Sequence, residues 1–158
     1  MKQLIAPLLA ALIVAGCDAP STPPPAPPPP PPPPAAPAKA EPEHILVQHV
    51  LISFAGANPR IPQKRSKEEA EALAKEVFER AKKGEPFDRL MGQSDDTGPG
   101  QYGMSNHKIP PGQGERPRQG MVPAFGNVGF QLGVGEVGLA GYHPTDSPFG
   151  WHVIKRVK

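Results

Sequence analysis

Fourteen prolines lie between Pro20 and Pro42, and Pro27 to Pro34 run without a break. Proline has no backbone N–H and a fixed φ, so such a stretch supports neither a helix interior nor a sheet ladder. It adopts extended polyproline II, with no internal hydrogen bonds and no packed core. At about 3.1 Å per residue it reaches roughly 70 Å as a semi-rigid, disordered spacer. A ligand for proline-recognising domains is the lesser expectation for this composition. Whatever core this chain builds must come from residues 43–158, near the usual size of one domain.

Ahead of the spacer, Lys2 precedes an apolar run from Leu4 to Gly16 that ends at Cys17, the one cysteine among 158 residues. A charged start, a short apolar stretch and small residues before a cleavage point make a secretory signal. The run is too short to span a bilayer, which takes about 20 apolar residues. The arrangement resembles the bacterial lipoprotein signal, in which the cysteine sulfur accepts a diacylglyceryl group and becomes the mature N-terminus. That resemblance implies a signal peptide over 1–16, a lipidated Cys17 with a proline-rich linker over 17–42, and a folded domain over 43–158. It also implies a cell-envelope location, lipid-anchored to a membrane and facing the periplasm or exterior.

With 17 basic and 15 acidic residues the chain carries a net charge of +2, too balanced to imply nucleic acid. With no second cysteine, no disulfide can form within it. His44 to Ile52 (HILVQHVLI) is dense in Ile, Val and Leu and reads as a largely buried strand. Ser66 is placed to cap a helix, with Glu69 at the reciprocal position of a capping box. Ala70, Leu73, Ala74, Val77, Phe78 and Ala81 then recur every three or four residues, one apolar face. Gly84 follows Lys82 and Lys83, a helix stop. Pro86 opens a short second helix with Phe87, Leu90 and Met91. Residues 92–120 read as a glycine-rich loop, and Pro123 to Leu132 as a short helix weakened by Gly126 and Gly129. Two strands close the chain, the last within GWHVIKRVK.

No G-x-S-x-G, CxxC, HExxH or phosphate loop is present. The five histidines stand singly, whereas zinc needs three or four converging ligands, so neither metal nor cofactor is expected. The candidate constellation is His44, His152 and Asp95–Asp96, beside an apolar set of Met121, Phe125 and Phe130. Taken singly, each piece also reads as a satisfied core histidine, an acidic turn or an ordinary core residue.

Taken together, the blocks resemble the parvulin-type peptidyl-prolyl isomerases. HILVQHVLI, then S-x-x-E-A, G-x-x-F and Q-S-D-D, follow that family's order. Gly100-Gln101-Tyr102-Gly103, Met121 to Phe125, Phe130-Gln131-Leu132-x-x-Gly135-Glu136 and Ser147 to Ile154 continue it. The resemblance implies an α+β fold, a four-stranded antiparallel sheet surrounded by short helices. It places His44 and His152 as paired histidines, Asp96 where other members carry Cys or Asp, and Ser147 at a hydroxyl position. Tyr102, Met121 and Phe125 would line a proline pocket, with Phe149 on its rim. His49 lies five residues from His44, on the opposite face of a simple strand, and is expected to be structural.

The implied activity is isomerisation of Xaa-Pro bonds in unfolded or proline-containing polypeptides, by a monomer that helps fold extracytoplasmic proteins. Rotation about that bond faces a barrier of about 18–20 kcal/mol, and lowering it needs desolvation and polar guidance rather than a nucleophile. The rival reading is a non-catalytic parvulin-fold module that holds unfolded envelope proteins. The chain departs from the compact family pattern by a long polar insertion over residues 104–120, by Gly126 and Gly129, and by a lengthened turn from His143 to Asp146. Arg60, Lys64 and Arg65 form a basic loop, solvated by default and otherwise suited to an acidic peptide.

Overall fold

The computed structural model describes residues 40–158; the signal, Cys17 and the polyproline run expected from the sequence lie outside the described residues. The expected first strand forms as β1 (His44–Ile52) and occupies the middle of a five-stranded sheet. Along β1 burial alternates at first and then becomes continuous, as it must when both faces are covered. Antiparallel partners flank it, β2 (Gln101–Ser105) on one side and β5 (Trp151–Arg156) on the other. Beyond β5 lies β4 (Val137–Ala140), also antiparallel.

These four strands are the antiparallel sheet expected from the sequence. A fifth, β3 (Glu115–Pro117), extends the edge by pairing parallel to β2. Both β2 and β3 fall in the stretch read as a glycine-rich loop. Gly and Pro dominate its composition, yet Tyr102 and Met104 alternate inward opposite Val47 and Ile45, and that contact decides the local structure. The insertion therefore contributes a strand to the sheet.

Each face of the sheet has its own cover. Val50 and Ile52, with Trp151 and Val153, pack against α1 (Lys67–Lys82) and α2 (Phe87–Met91). Ala70, Ala74, Val77 and Ala81 are the buried positions of α1, and their small side chains bring the helix close to the sheet. The capping box is present: Glu69 N–H donates to Ser66 Oγ at 3.2 Å and Ser66 N–H to Glu69 Oε2 at 2.7 Å. Ile45, Val47 and Ile154, with Met104, pack on the other face against α3 (Pro123–Gln131).

Gly126 and Gly129 cost α3 helix propensity, but they let it approach. A Cβ on Gly129 would stand 3.2 Å from Met104 Cε and 3.3 Å from Ile45 Cδ1. The glycines therefore serve close packing rather than leaving a soft wall.

The turn before β5 is the tightest point. His143 and Ser147 form an isolated antiparallel bridge, and Ser147 Oγ donates to Gly150 C=O at 2.7 Å. Gly150 has φ +134°, and a Cβ there would lie 2.2 Å from the Ile52 carbonyl oxygen. Gly150→Ala is therefore expected to destabilise the domain by about 2 kcal/mol or more. Urea unfolding followed through Trp151, the only tryptophan, measures it; an unchanged midpoint would contradict this account of the turn.

Candidate active site

The α3 face of the sheet gathers the candidate site because of where β1 and β5 register. His152 lies opposite Leu51, and His49 opposite Ile154, so the two imidazoles share that face. Their rings stack at 5.6 Å between centroids, and both are almost fully buried.

The segment after α2 supplies the carboxylate. Ser94 Oγ accepts from Leu51 N–H at 2.9 Å and Asp95 N–H donates to the Leu51 carbonyl at 2.8 Å, which stitches this segment to the end of β1. Asp95 and Asp96 then turn to different partners. Asp95 accepts from Ser53 N–H at 2.8 Å and Gln63 Nε2 at 2.9 Å, and pairs with Arg65. Asp96 faces the histidines: its Oδ2 accepts from His49 Nε2 at 3.0 Å and from the Tyr102 hydroxyl at 3.1 Å, while Oδ1 accepts from Gly98 N–H at 3.0 Å.

The bond from His49 and then that from Gly98 hold the Asp96 carboxyl below its ordinary range, against the cost of partial burial. Burial first, then the Asp96 charge, raises the Tyr102 phenol. Burial above all pushes His152 down to about 3, so its ring is neutral at neutral pH. An ionised Asp96 only accepts, so His49 Nε2 carries a proton. His152 Nε2 is buried without a partner among the described residues, whereas its Nδ1 lies 3.5 Å from His49 Nδ1. Placing the His152 proton on Nδ1 leaves no buried N–H orphaned. The result is a chain of donors from His152 through His49 to Asp96.

Beside this chain opens a cleft of about 430 Å³, lined by His49, Asp96, Tyr102, Met121, Val122, Phe125, Phe149 and His152 among others. Phe125 meets His49 edge-on at 5.1 Å and His152 at 5.4 Å. A groove of about 620 Å³ between residues 40–42 and 130–134 is larger and takes in Phe130, but contains neither histidine and neither Met121 nor Phe125.

Residues 36–158 match the PPIC-type PPIASE domain. The chain belongs to this family. It is 38% identical over 110 residues to the protein named Chaperone SurA of Chromohalobacter salexigens, a stretch covering 69% of this chain and 21% of that one. The chain thus spans about a fifth of that relative's length. The solution structure of TbPIN1 superposes with a TM-score of 0.53 over 73% of this chain and 98% of that chain, at 22% identity, a likeness of fold.

Within this PPIC-type domain, Asp96, Tyr102, Met121, Phe125, Phe149 and His152 line one cleft. His44 does not. It begins β1 on the other face, its side chain 43% exposed and its Nδ1 2.8 Å from Glu115 Oε2. The imidazole beside His152 belongs to His49, for which alternation along the strand predicts a structural part. Ser147 is also away from the cleft lining: it is fully buried, and its hydroxyl is spent on Gly150. Two arginines line the cleft, Arg60 of the basic loop and Arg116 of β3, while Arg65 of that loop is engaged with Asp95 and the Ser53 carbonyl. Arg116 had no signal in the sequence, because nothing there shows that the insertion returns to the sheet.

In the unfolded chain His152 takes up a proton near its ordinary 6.5, and in the fold only near 3. Between those values unfolding takes up a proton. The stability tied to His152 is therefore complete above pH 6.5 and is lost as the pH falls toward 3, by up to about 1.4 kcal/mol per pH unit. Urea midpoints between pH 7.5 and 5 should show this slope in the wild type and a flatter one in His152→Leu; equal slopes would refute the buried neutral ring.

Proposed function

We propose that the chain is a peptidyl-prolyl cis–trans isomerase that acts on unfolded or proline-containing polypeptides in the cell envelope, held to a membrane by lipid on Cys17. One observation carries the enzymatic part: the apolar wall of the cleft, formed by Met121, Val122 and Phe125, lies against the His152–His49–Asp96 chain. A prolyl ring in that cleft loses water from its imide, and the thioether and aromatic ring conform to its flat apolar surface. Rotation requires the C–N bond to lose double-bond character. Fixed polar groups beside the carbonyl favour the twisted state over either planar one, which is differential binding of the transition state. An acceleration of about 10⁵-fold corresponds to about 7 kcal/mol, within reach of desolvation and electrostatics without a covalent intermediate. Membership in the PPIC-type family and likeness to a chaperone support the same class of client, a polypeptide not yet folded.

The test is catalysed isomerisation of a Xaa-Pro peptide by the full chain. Asp96→Ala leaves the His49 N–H unpaired and should lower kcat/KM by about 10- to 100-fold without abolishing turnover. Met121→Ala should raise KM with little loss of stability, because Met121 is only partly buried. Phe125 is 2% exposed and belongs to the core as well as the cleft, so Phe125→Ala should also cost about 3–5 kcal/mol of stability. A wild-type chain that suppresses aggregation of an unfolded client yet turns over no peptide would establish the binding-only alternative.

The anchor is tested separately. In its own host the wild type should incorporate a labelled fatty acid, and Cys17→Ser should not. No label in the wild type would remove the tether from this reading.

A further inference from the structure

The sequence places Glu41 in the linker, but its side chain, 34% exposed, is bonded to the domain. Arg118, 8% exposed, donates from Nη1 to Glu41 Oε2 at 2.6 Å and to Asn106 Oδ1 at 2.9 Å. Its Nη2 donates to Asn127 Oδ1 at 2.9 Å, and the guanidinium lies 4.8 Å over the Phe130 ring. Asn106 donates in turn to Glu41 Oε2 at 3.2 Å and to the Pro42 carbonyl at 3.0 Å. This cluster is outside the cleft, yet it adjoins the cleft wall on two sides. Arg118 opens the 3₁₀ turn whose carbonyl accepts from Met121 N–H at 3.1 Å. Two residues before Arg118, Arg116 reaches the cleft, 5.7 Å from the Tyr102 ring centre.

We infer that Glu41 is a positioning residue for the cleft: by fixing Arg118 it holds residues 116–121, at the end of the insertion, so that Arg116 and Met121 face the bound peptide. This rests on the isomerase reading above. A mostly buried guanidinium stripped of its carboxylate is costly to keep in place, so without Glu41 the Arg118 side chain turns outward and the 3₁₀ turn loosens with it. Among the described residues no hydrogen bond or ion pair joins Glu41 to β1 or β5, so these strands keep their pairing. The junction between the proline-rich run and the domain is thereby part of the cleft's support.

Glu41→Ala in the full chain separates this role from a general loss of structure. Amide hydrogen exchange over residues 116–122 should quicken by about tenfold, with residues 47–52 and 151–154 unchanged. KM for a Xaa-Pro peptide should rise about fivefold with kcat held within about twofold. Glu41→Gln, whose amide oxygen still accepts from Arg118, should recover most of the KM. Unchanged exchange over 116–122 would overturn the inference, as would quickened exchange with an unchanged KM. Parallel losses across the whole sheet, with kcat and KM affected alike, would overturn it too. If the wild type turns over no peptide the isomerase reading falls by itself, and the exchange comparison alone then decides whether Glu41 holds this wall.

Discussion

The Asp96 carboxylate is taken partly out of water, and the site is arranged around the groups that make this tolerable. It accepts from the His49 ring, the Tyr102 hydroxyl and the Gly98 amide, so nearly all of its hydrogen-bonding capacity is used. Each donor comes from a different element, and the bonds therefore pin β1, β2 and the turn after α2 to one another. His49, fixed at Nε2 by the carboxylate, offers Nδ1 to His152, which carries the constraint across to β5. Removing the carboxylate would leave a buried N–H unpaired, which costs more than the net worth of the bond it made.

The apolar half of the cleft depends on the other side of the sheet's register. Phe125 touches both imidazoles because α3 lies close over β1, and α3 lies close because Gly126 and Gly129 carry no side chain toward Arg118, Met104 and Ile45. Helix propensity is given up at those positions in exchange for approach. The ring is thus shared between core and cleft, whereas Met121 lines the cleft while only partly buried. The insertion closes the wall on the remaining side, with Arg116 and Met121 on either side of a turn anchored by Arg118.

Much of this architecture can be read from the residues. The β1 strand, the Ser66–Glu69 capping box, the apolar stripe of α1 and the proline start of α3 each follow from local patterns that tertiary packing reinforces. What local patterns do not contain is pairing. Alternation along β1 says that His44 and His49 face apart, but not which of them meets His152; that is decided by His152 lying opposite Leu51. Ser147 has suitable spacing in the chain, but the tight turn into Gly150 uses its hydroxyl before the cleft can. The strands β2 and β3 are hidden by glycine and proline, and the Glu41–Arg118 pair joins residues too far apart in sequence for composition to connect them.

The claim on which the site rests is the direction of the hydrogen bonds through the two rings. Long-range ¹H–¹⁵N correlation spectra of the histidine side chains, recorded on the full chain at pH 7 and pH 5, read it directly. His152 should be neutral at both values, with its proton on Nδ1 and Nε2 bare, and His49 should carry a proton on Nε2. A His152 ring that is charged at pH 5, or that holds its proton on Nε2 at pH 7, would contradict the account.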